Sequence, residues 1–448
     1  AAGGAIVCSQ YIGQQNKKMA NESARQVLFI ITAISIAVSV LCLGFKKPLL
    51  RLIFGSVEAD VMRASETYFF YTAISFPFIA AYDSAASIFR AQENTKGPML
   101  ISMISNAMNI VGNAIMIWIF HMGVAGAAIS TLVSRIFCAV VVLIQLRKDR
   151  QPIVVRDYLK IRPDWAMIRR ILGIGIPSGV ENSMFQLGKI AVLSLVSGLG
   201  TASLAANAVG NNIANFAILP GMSFGFALLT VCAQCVGAGD FEQVKYYTKH
   251  MMRVEYLCLI ASNLIVILSL PFILSIYNLS DEAAMYTNDI ILYHAACVVT
   301  IWPLSFTLPN TLRAAADVKV TMVLSIISMW VFRFGFSYLL TMVFHMGIFG
   351  VWVAMTIDWL VRGIFFVCRY KKIPFLAFAD LGGMGLLIGQ CIGRWGNFMN
   401  VEAFGSTTTL PWRMRLWTSA TEYIEVHPTF FYESLWNLIG LLLILLVA

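Results

Sequence analysis

Charge is what this sequence has least of. Only 12% of its 448 residues are Asp, Glu, Lys or Arg, against about 25% in an ordinary soluble domain. That scarcity, beside a hydrophobic content of 59%, excludes both a soluble enzyme and a disordered chain. A disulfide framework is missing as well. The 9 cysteines lie mostly inside apolar runs, as small packing residues with no secreted small-domain context. Cys232-Ala233-Gln234-Cys235 has redox-motif spacing, but its apolar setting reads as helix packing.

What is present is a series of long uncharged runs. Between Lys189 and Asp240 no charged residue occurs; as one helix these roughly 50 residues would measure about 75 Å. A bilayer core is about 30 Å thick, so the run must be two spans folded back on each other. Two glycines at Ser197-Gly198-Leu199-Gly200-Thr201 mark the fold-back. Residues 97–134 repeat the pattern around His121-Met122-Gly123. Single runs follow at 26–45, 256–280, 290–312, 320–359 (turned at His345-Met346-Gly347) and 434–448. With spans near 68–89, 170–196 and 381–400 they predict about twelve full helices plus a partial one at the start. Backbone amides in lipid must satisfy one another within the segment, and the runs do not alternate as barrel strands would. The expected class is therefore an all-α polytopic membrane protein.

The formal charge of +9 is distributed by connector. Lys17, Lys18 and Arg25, then Arg90 and Lys96, then the cluster from Arg147 to Arg170, then Lys245, Lys249 and Arg253, then Arg313 and Lys319 fall on every second loop. Alternate loops are nearly bare, apart from Lys46, Lys47, Arg51 and Arg63. By the positive-inside rule the basic set is cytoplasmic. The charge thus reports topology, not a nucleic-acid partner.

Self-comparison reveals a duplication. Val7-Cys8-Ser9-Gln10-Tyr11-Ile12-Gly13 aligns with Val231-Cys232-Ala233-Gln234-Cys235-Val236-Gly237 at an offset of 224. Arg90-Ala91, Lys96, Met99 and Ser102 meet Arg313-Ala314, Lys319, Met322 and Ser325 at 223. His121-Met122-Gly123 and Gly126 meet His345-Met346-Gly347 and Gly350 at 224. Two homologous six-helix halves are predicted: 1–146, incomplete at its start, and 170–372, joined by a basic linker at 147–169. An even number of spans makes the repeat parallel and places the substrate site between the halves. The register also predicts that roughly 55 residues, the first helix and part of the second, precede Ala1.

Several segments carry a family resemblance in their order and spacing. They are Gly3-Gly4 with Ser9-Gln10-Tyr11-Ile12-Gly13, Gly175-Ile176-Pro177 with Glu181 and Phe185, and Gly200-Thr201 with Leu204-Ala205-Ala206. Gln234 with Gly237-Ala238-Gly239, Phe89-Arg90-Ala91 and Leu312-Arg313-Ala314 complete the set. Over residues 1–372 the chain resembles the multidrug and toxic compound extrusion (MATE) family, whose members are drug/cation antiporters of two six-helix lobes. It departs from the family in lacking the first helix, where many members hold a coupling Asp. The resemblance implies export of small organic, often cationic, compounds by Na⁺ or H⁺ antiport, with no other cofactor. It further implies a monomer in the bacterial inner membrane. A same-superfamily alternative, a lipid-linked oligosaccharide flippase, calls for a more cationic lumen.

An ionisable group inside a span costs about 2.5–3.5 kcal/mol on insertion scales, so each needs a reason. Glu181 matches the position of a carboxylate linked to ion coupling in some family members, where a partly dry setting suits exchange of a proton or Na⁺. Its alternative role is a partner for Lys189. Asp83 with Arg90 and Asp358 with Arg362 read as ion pairs or anchors, Arg333 as a cross-helix partner for Asp358, and His294 as a hydrogen-bonded core residue. Asn207, Asn211 and Asn215, four apart, form one stripe that either lines a wet cavity or bonds neighbouring helices. Asn212 adds to the amide density there, and Gln186 is a further cavity candidate.

Residues 380–448 have no counterpart in the repeat. Gly393-Arg394-Trp395-Gly396-Asn397 through Glu402, followed by His427-Pro428-Thr429-Phe430-Phe431-Tyr432-Glu433, resembles prolipoprotein diacylglyceryl transferase. The resemblance gives Arg394, Asn397 and Glu402 the binding of a phosphate-bearing headgroup, for which a guanidinium fork is suited. The family's histidine-bearing N-terminal signature and its later arginine region are absent, so the segment is expected to be a joined, inert fragment of about two helices. A working transferase is the competing reading from a different functional class.

Overall fold

Backbone groups left in hydrocarbon must bond within their own segment, and the chain answers with helices almost throughout. A computed structural model describes residues 2–55, 58–148, 153–155, 158, 162–400, 402–417 and 423–447; side chains at 52–54, 375–379, 381 and 447 lie outside this description. The linker expected at 147–169 and the motif residue Val401 therefore fall partly or wholly outside it.

The first half begins with the short α1 (Ala2–Gly13), followed by α2 (Lys17–Gly44), the nine-residue α3 (Lys46–Phe54), α4 (Ala59–Ala91), α5 (Lys96–Ala114) and α6 (Gly123–Leu146). A π-helical turn, Ile115–Ile119, extends α5. The second half holds α7 (Trp165–Ser197), α8 (Thr201–Ala217) and α9 (Leu219–Ala238), then α10 (Phe241–Tyr277) and α11 (Asp281–Trp302). After these come α12 (Leu308–Ala314), α13 (Val318–Ser328), α14 (Phe336–Met342) and α15 (Gly347–Lys371). Wide π turns at Pro303–Thr307 and Met329–Gly335 join α11 to α12 and α13 to α14 into continuous rods. Polar caps start several helices: the Asp164 carboxylate accepts from the amides of Ala166 and Met167, and the Asp240 carboxylate from Gln243. Ile218 alone separates α8 from α9, so these two also form one span; counting each rod once, the described residues hold twelve helices of spanning length and the partial α1, the count expected from the charge gaps. Among the described residues, nine helices are also long and apolar enough to cross a membrane.

The duplication is written in the backbone. Left-handed residues recur as Gln15 (φ 57°) with Gly239 (77°), Glu93 (64°) with Ala316 (64°), and His121 (53°) with His345 (53°), each pair 223 or 224 apart. Packing repeats too. A Cβ on Gly126 would fall 2.8 Å from Met116 and 3.1 Å from Met122; on Gly350 it would fall 3.0 Å from both Leu340 and Met346, the equivalent positions.

Contacts divide the chain into residues 1–366 and 367–448. Within the first unit the two lobes share one buried core, in which Val7, Phe89 and Leu146 meet Ile171, Leu228 and Cys232. These residues neighbour the basic connectors, so the lobes are joined at the end that carries them. A second core, with Val196, Ile213, Leu259 and Trp352, belongs to the second lobe alone. The C-terminal unit contains α16 (Phe375–Met399), an antiparallel hairpin of β1 (Met414–Trp417) and β2 (Tyr423–Val426), and α17 (Thr429–Val447).

Candidate substrate cavity and coupling site

On α7, Glu181, Phe185 and Lys189 are four apart and rise along one stripe. On α8, Asn207, Asn211 and Asn215 do the same. The α8 stripe and Lys189 at the end of the α7 stripe meet at a cavity of about 270 Å³ whose polar lining is Gln186, Lys189, Asn207, Asn211, Asn215 and Arg333. Ile190, Leu193, Trp352 and Met355 supply much of its apolar wall. All four residues singled out as cavity candidates thus meet in one place, and Asn212 stays outside it. The cavity lies within the second lobe, walled by α7, α8, α15 and the wide turn before α14, whereas the repeat argument places a site between the lobes. Asn207 serves both suggested roles. Its carbonyl oxygen accepts from the Trp352 indole at 3.3 Å and from the Asn211 amide at 3.1 Å.

Glu181 is buried and does not line the cavity. Its carboxylate accepts a 2.6 Å bond from the guanidinium of Arg313, which also donates to Asn310 at 2.9 Å. The alternative of a Glu181–Lys189 pair is corrected: Lys189 turns to the cavity, and the partner comes from the last turn of α12. Asp358 does pair as expected, with Arg362 at 3.3 Å and Arg333 at 3.9 Å, and it accepts a 2.6 Å bond from the Ser328 hydroxyl. No ion pair joins Asp83 to Arg90 among the described residues; the Arg90 guanidinium lies 5.6 Å from the Phe226 ring of α9 and anchors one lobe on the other. His294 is a core residue held edge-on by Trp352 and Trp359, at 5.3 and 5.4 Å between ring centres. Cys232 and Cys235 are free thiols; Cys232 is packed beside the hydroxyls of Thr248 and Thr311.

One buried carboxylate escaped the charge-gap analysis. Glu255 is 0% exposed, accepts a 2.6 Å bond from the Thr307 hydroxyl and has a second oxygen with no partner among the described residues. The uncharged run was counted from the residue after it. Because α10 begins at Phe241, Glu255 actually sits about four turns inside the helix.

In the C-terminal unit, Arg394 forms an ion pair with Glu433, binding the two halves of the sequence motif across α16 and α17. Glu402 instead accepts from the Asn400 amide at 3.1 Å, while the Asn397 carbonyl accepts from the Glu402 backbone N–H at 2.9 Å. No hydrogen bond or ion pair joins the side chains of these three headgroup candidates among the described residues.

The MatE family model matches residues 1–115 and 177–339. The chain belongs to the MatE family. Among curated relatives of this MatE chain, the probable multidrug resistance protein YoeA of Bacillus subtilis (strain 168) is 26% identical over 368 residues, covering 79% of this chain and 77% of the relative. The probable multidrug resistance protein NorM of Thermotoga maritima is 23% identical, covering 80% and 77%. A solved outward-facing MATE transporter shares the fold with a TM-score of 0.77 at 18% identity, over 83% of each chain. The family is one of membrane transporters, which places this multi-pass chain in a lipid bilayer and outside the enzymes. Its C-terminal region is similar to something else. The prolipoprotein diacylglyceryl transferase model matches residues 321–448, and the transferase of Lysinibacillus sphaericus is 48% identical over 88 residues. That stretch spans 32% of the transferase.

Proposed function

We propose that this MatE chain is a secondary active exporter of small organic compounds, driven by inward movement of Na⁺ or H⁺ and working by alternating access as a monomer in the bacterial inner membrane. The observation that carries the reading is the pair of repeated lobes whose shared core lies at the basic, cytoplasmic end, with a polar cavity in the second lobe. Two rigid halves held at one end are what rocking between inward- and outward-open states requires. The relatives' names, as probable multidrug resistance proteins, support the substrate breadth.

In this reading Glu181 couples the ion. Its pair with Arg313 sits where the second lobe reaches the cytoplasmic seam. A proton or Na⁺ arriving at the carboxylate competes with the guanidinium, releasing Arg313 and loosening the seam, so ion entry and lobe movement become one event. The test is ethidium transport by the full chain in proteoliposomes under imposed Na⁺ or pH gradients. Gradient-dependent transport that Glu181→Gln abolishes is expected; transport that persists unchanged in Glu181→Gln removes the coupling assignment. For the C-terminal segment, with Arg394 already paired to Glu433, we expect no transfer from phosphatidylglycerol to a lipobox peptide, and turnover by this chain would reverse that expectation.

A further inference from the structure

The cavity carries a charge whose sign bears on the cargo. Its lining includes Lys189 and Arg333 and, among the described residues, no carboxylate. Behind the wall the same sign continues. Three cations surround the ring of Phe185: the Lys189 ammonium at 5.7 Å, the Arg333 guanidinium at 5.5 Å and that of Arg362 at 5.9 Å. Arg362 is also 4.5 Å from the Phe306 ring, so it lies between two aromatic faces.

A single carboxylate counters these groups. Asp358 lies 3.3 Å from Arg362 and 3.9 Å from Arg333, and the Ser328 hydroxyl already occupies one of its oxygens. Three positive groups and one negative leave the cluster at +2. Glu181 does not change that sum, because Arg313 neutralises it at 2.6 Å. His294 faces the cluster from α11 with indoles on two sides.

The hydrogen-bond pattern agrees with the charge. The Nη2 of Arg362 is buried without an acceptor among the described residues, and its Nε faces Asp358 at 3.3 Å without hydrogen-bond geometry. Lys189 and Arg333 donate to no described residue, although Arg333 is only 8% exposed. The amides of Gln186 and Asn215 add further donors at the cavity wall. Charged donors converge here with no carboxylate in the described lining; the amides offer both donors and neutral acceptors. Aromatic faces attract cations but offer them no oxygen, and a bundle interior penalises uncompensated charge.

We propose that this cavity binds the anionic group of a small amphiphile, a carboxylate or phosphate monoester, between Lys189 and Arg333, with its apolar part against Leu193 and Trp352. The guanidinium of Arg333 grips two oxygens as a fork, and the Lys189 ammonium acts as a point charge. An organic cation, which the family resemblance suggests as cargo, meets like charge in the same space. Calling the ligand a cargo rests on the transporter reading above; the binding itself does not.

The experiment is calorimetric titration of the purified full chain in a neutral detergent with matched probes: phenyl phosphate, benzoate and benzyltrimethylammonium. Saturable binding of phenyl phosphate at least tenfold tighter than benzyltrimethylammonium is expected. Lys189→Gln should weaken phenyl phosphate about tenfold, which corresponds to about 1.4 kcal/mol, and Lys189→Arg should restore it. Preference for the ammonium probe, or an unchanged phenyl phosphate affinity in Lys189→Gln, overturns the proposal. Competition with dihexanoyl phosphatidic acid assigns the source: displacement tighter than phenyl phosphate marks a lipid headgroup, weaker displacement marks a soluble ester, and both retain the anion site. Gradient-driven transport of phenyl phosphate and of ethidium by the same preparation is read separately, movement of either counting as export. Anion binding without export retains the site and removes the transporter reading, whereas export without anion binding does the reverse.

Discussion

Gln10 and Gln234, equivalent residues 224 apart, clasp the two lobes reciprocally. The side-chain amide of Gln10 on α1 donates to the Ala314 carbonyl of the second lobe at 3.1 Å, and that of Gln234 on α9 donates to the Ala91 carbonyl of the first at 3.0 Å. Ala91 and Ala314 are themselves repeat equivalents. The helices that bear the glutamines cross so closely that a Cβ on Gly13 would fall 2.0 Å from the Gln234 carbonyl oxygen, and one on Gly237 would fall 2.0 Å from that of Gln10. The seam between the lobes is therefore closed by one contact used twice.

The two bonds are not energetically equal. Gln10 also accepts from the Arg170 guanidinium at 2.9 Å, which stacks 4.8 Å from the Tyr11 ring. Loss of a neutral hydrogen bond is worth about 1 kcal/mol, or about fivefold in an opening equilibrium; a charged donor adds roughly as much again. Gln234→Ala should therefore speed maleimide labelling of the seam thiol Cys8, 0% exposed, by about fivefold, and Gln10→Ala by more. Site-resolved mass spectrometry reads the rate. Equal, negligible changes in both variants would show that the clasp does not hold the seam.

The Glu181–Arg313 pair gives a stability prediction separate from transport. Its side chains are 10% and 22% exposed. Removing one partner of a buried pair costs about 3–5 kcal/mol, and the partial exposure of Arg313 reduces this to about 2 kcal/mol. Arg313→Ala should lower Tm in detergent by a few °C, on the order set by protein size. Adding Glu181→Gln to Arg313→Ala should recover most of the loss, because no bare charge then remains. A double variant as unstable as the sum of the singles would place the cost elsewhere than in the stranded carboxylate.

The duplication and the spans were legible in the sequence because lipid penalises charge wherever it falls: runs such as 190–239 can only be membrane helices, and repeated turn residues such as His121 and His345 mark equivalent corners. Partnerships were less legible. Glu181 meets Arg313 across 132 residues, and which face of a helix looks inward depends on its rotation. The π turns at Pro303–Thr307 and Met329–Gly335 alter that rotation by adding a residue to the turn. They present Thr307 to Glu255 and Arg333 to Phe185, contacts that a 3.6-residue period does not foresee. The amide stripe on α8 was visible by spacing alone, but its opposite wall, Lys189 and Arg333, emerged only in three dimensions.

Glu255 and Thr307 form an isolated polar contact inside the second lobe. Thr307→Val removes the one hydrogen-bond donor to the carboxylate among the described residues while keeping the volume, and a buried polar group left without its partner costs about 1–3 kcal/mol. Glu255→Gln retains an oxygen for the Thr307 hydroxyl and is expected to cost less. Thermal unfolding of both variants in detergent compares them. The opposite ranking would mean that the Glu255 oxygen with no partner among the described residues is met by a group that the amide cannot engage.

A pH dependence belongs to the C-terminal hairpin, which lies between α16 and α17, outside the helices. Glu425 on β2 accepts from Arg415 at 2.9 Å, and its other oxygen accepts from Arg413 at 2.5 Å. The Arg415 hydrogen bond above all, then that of Arg413, holds the Glu425 carboxyl below its ordinary value of 4.5. A depressed folded-state value means that the contact contributes fully above the unfolded value and is lost as pH falls through the folded one. The hairpin should therefore keep its Trp417–Tyr423 contact, 5.3 Å between ring centres, down to pH 4.5 and fray only below it. Arg415 is solvent-exposed and Glu425 partly so, so about 1 M salt should weaken the effect. Near-UV circular dichroism of a Trp417-sensitive band, compared with Glu425→Gln, checks it: the variant should lose the acid transition, and an unchanged transition would trace it to another group.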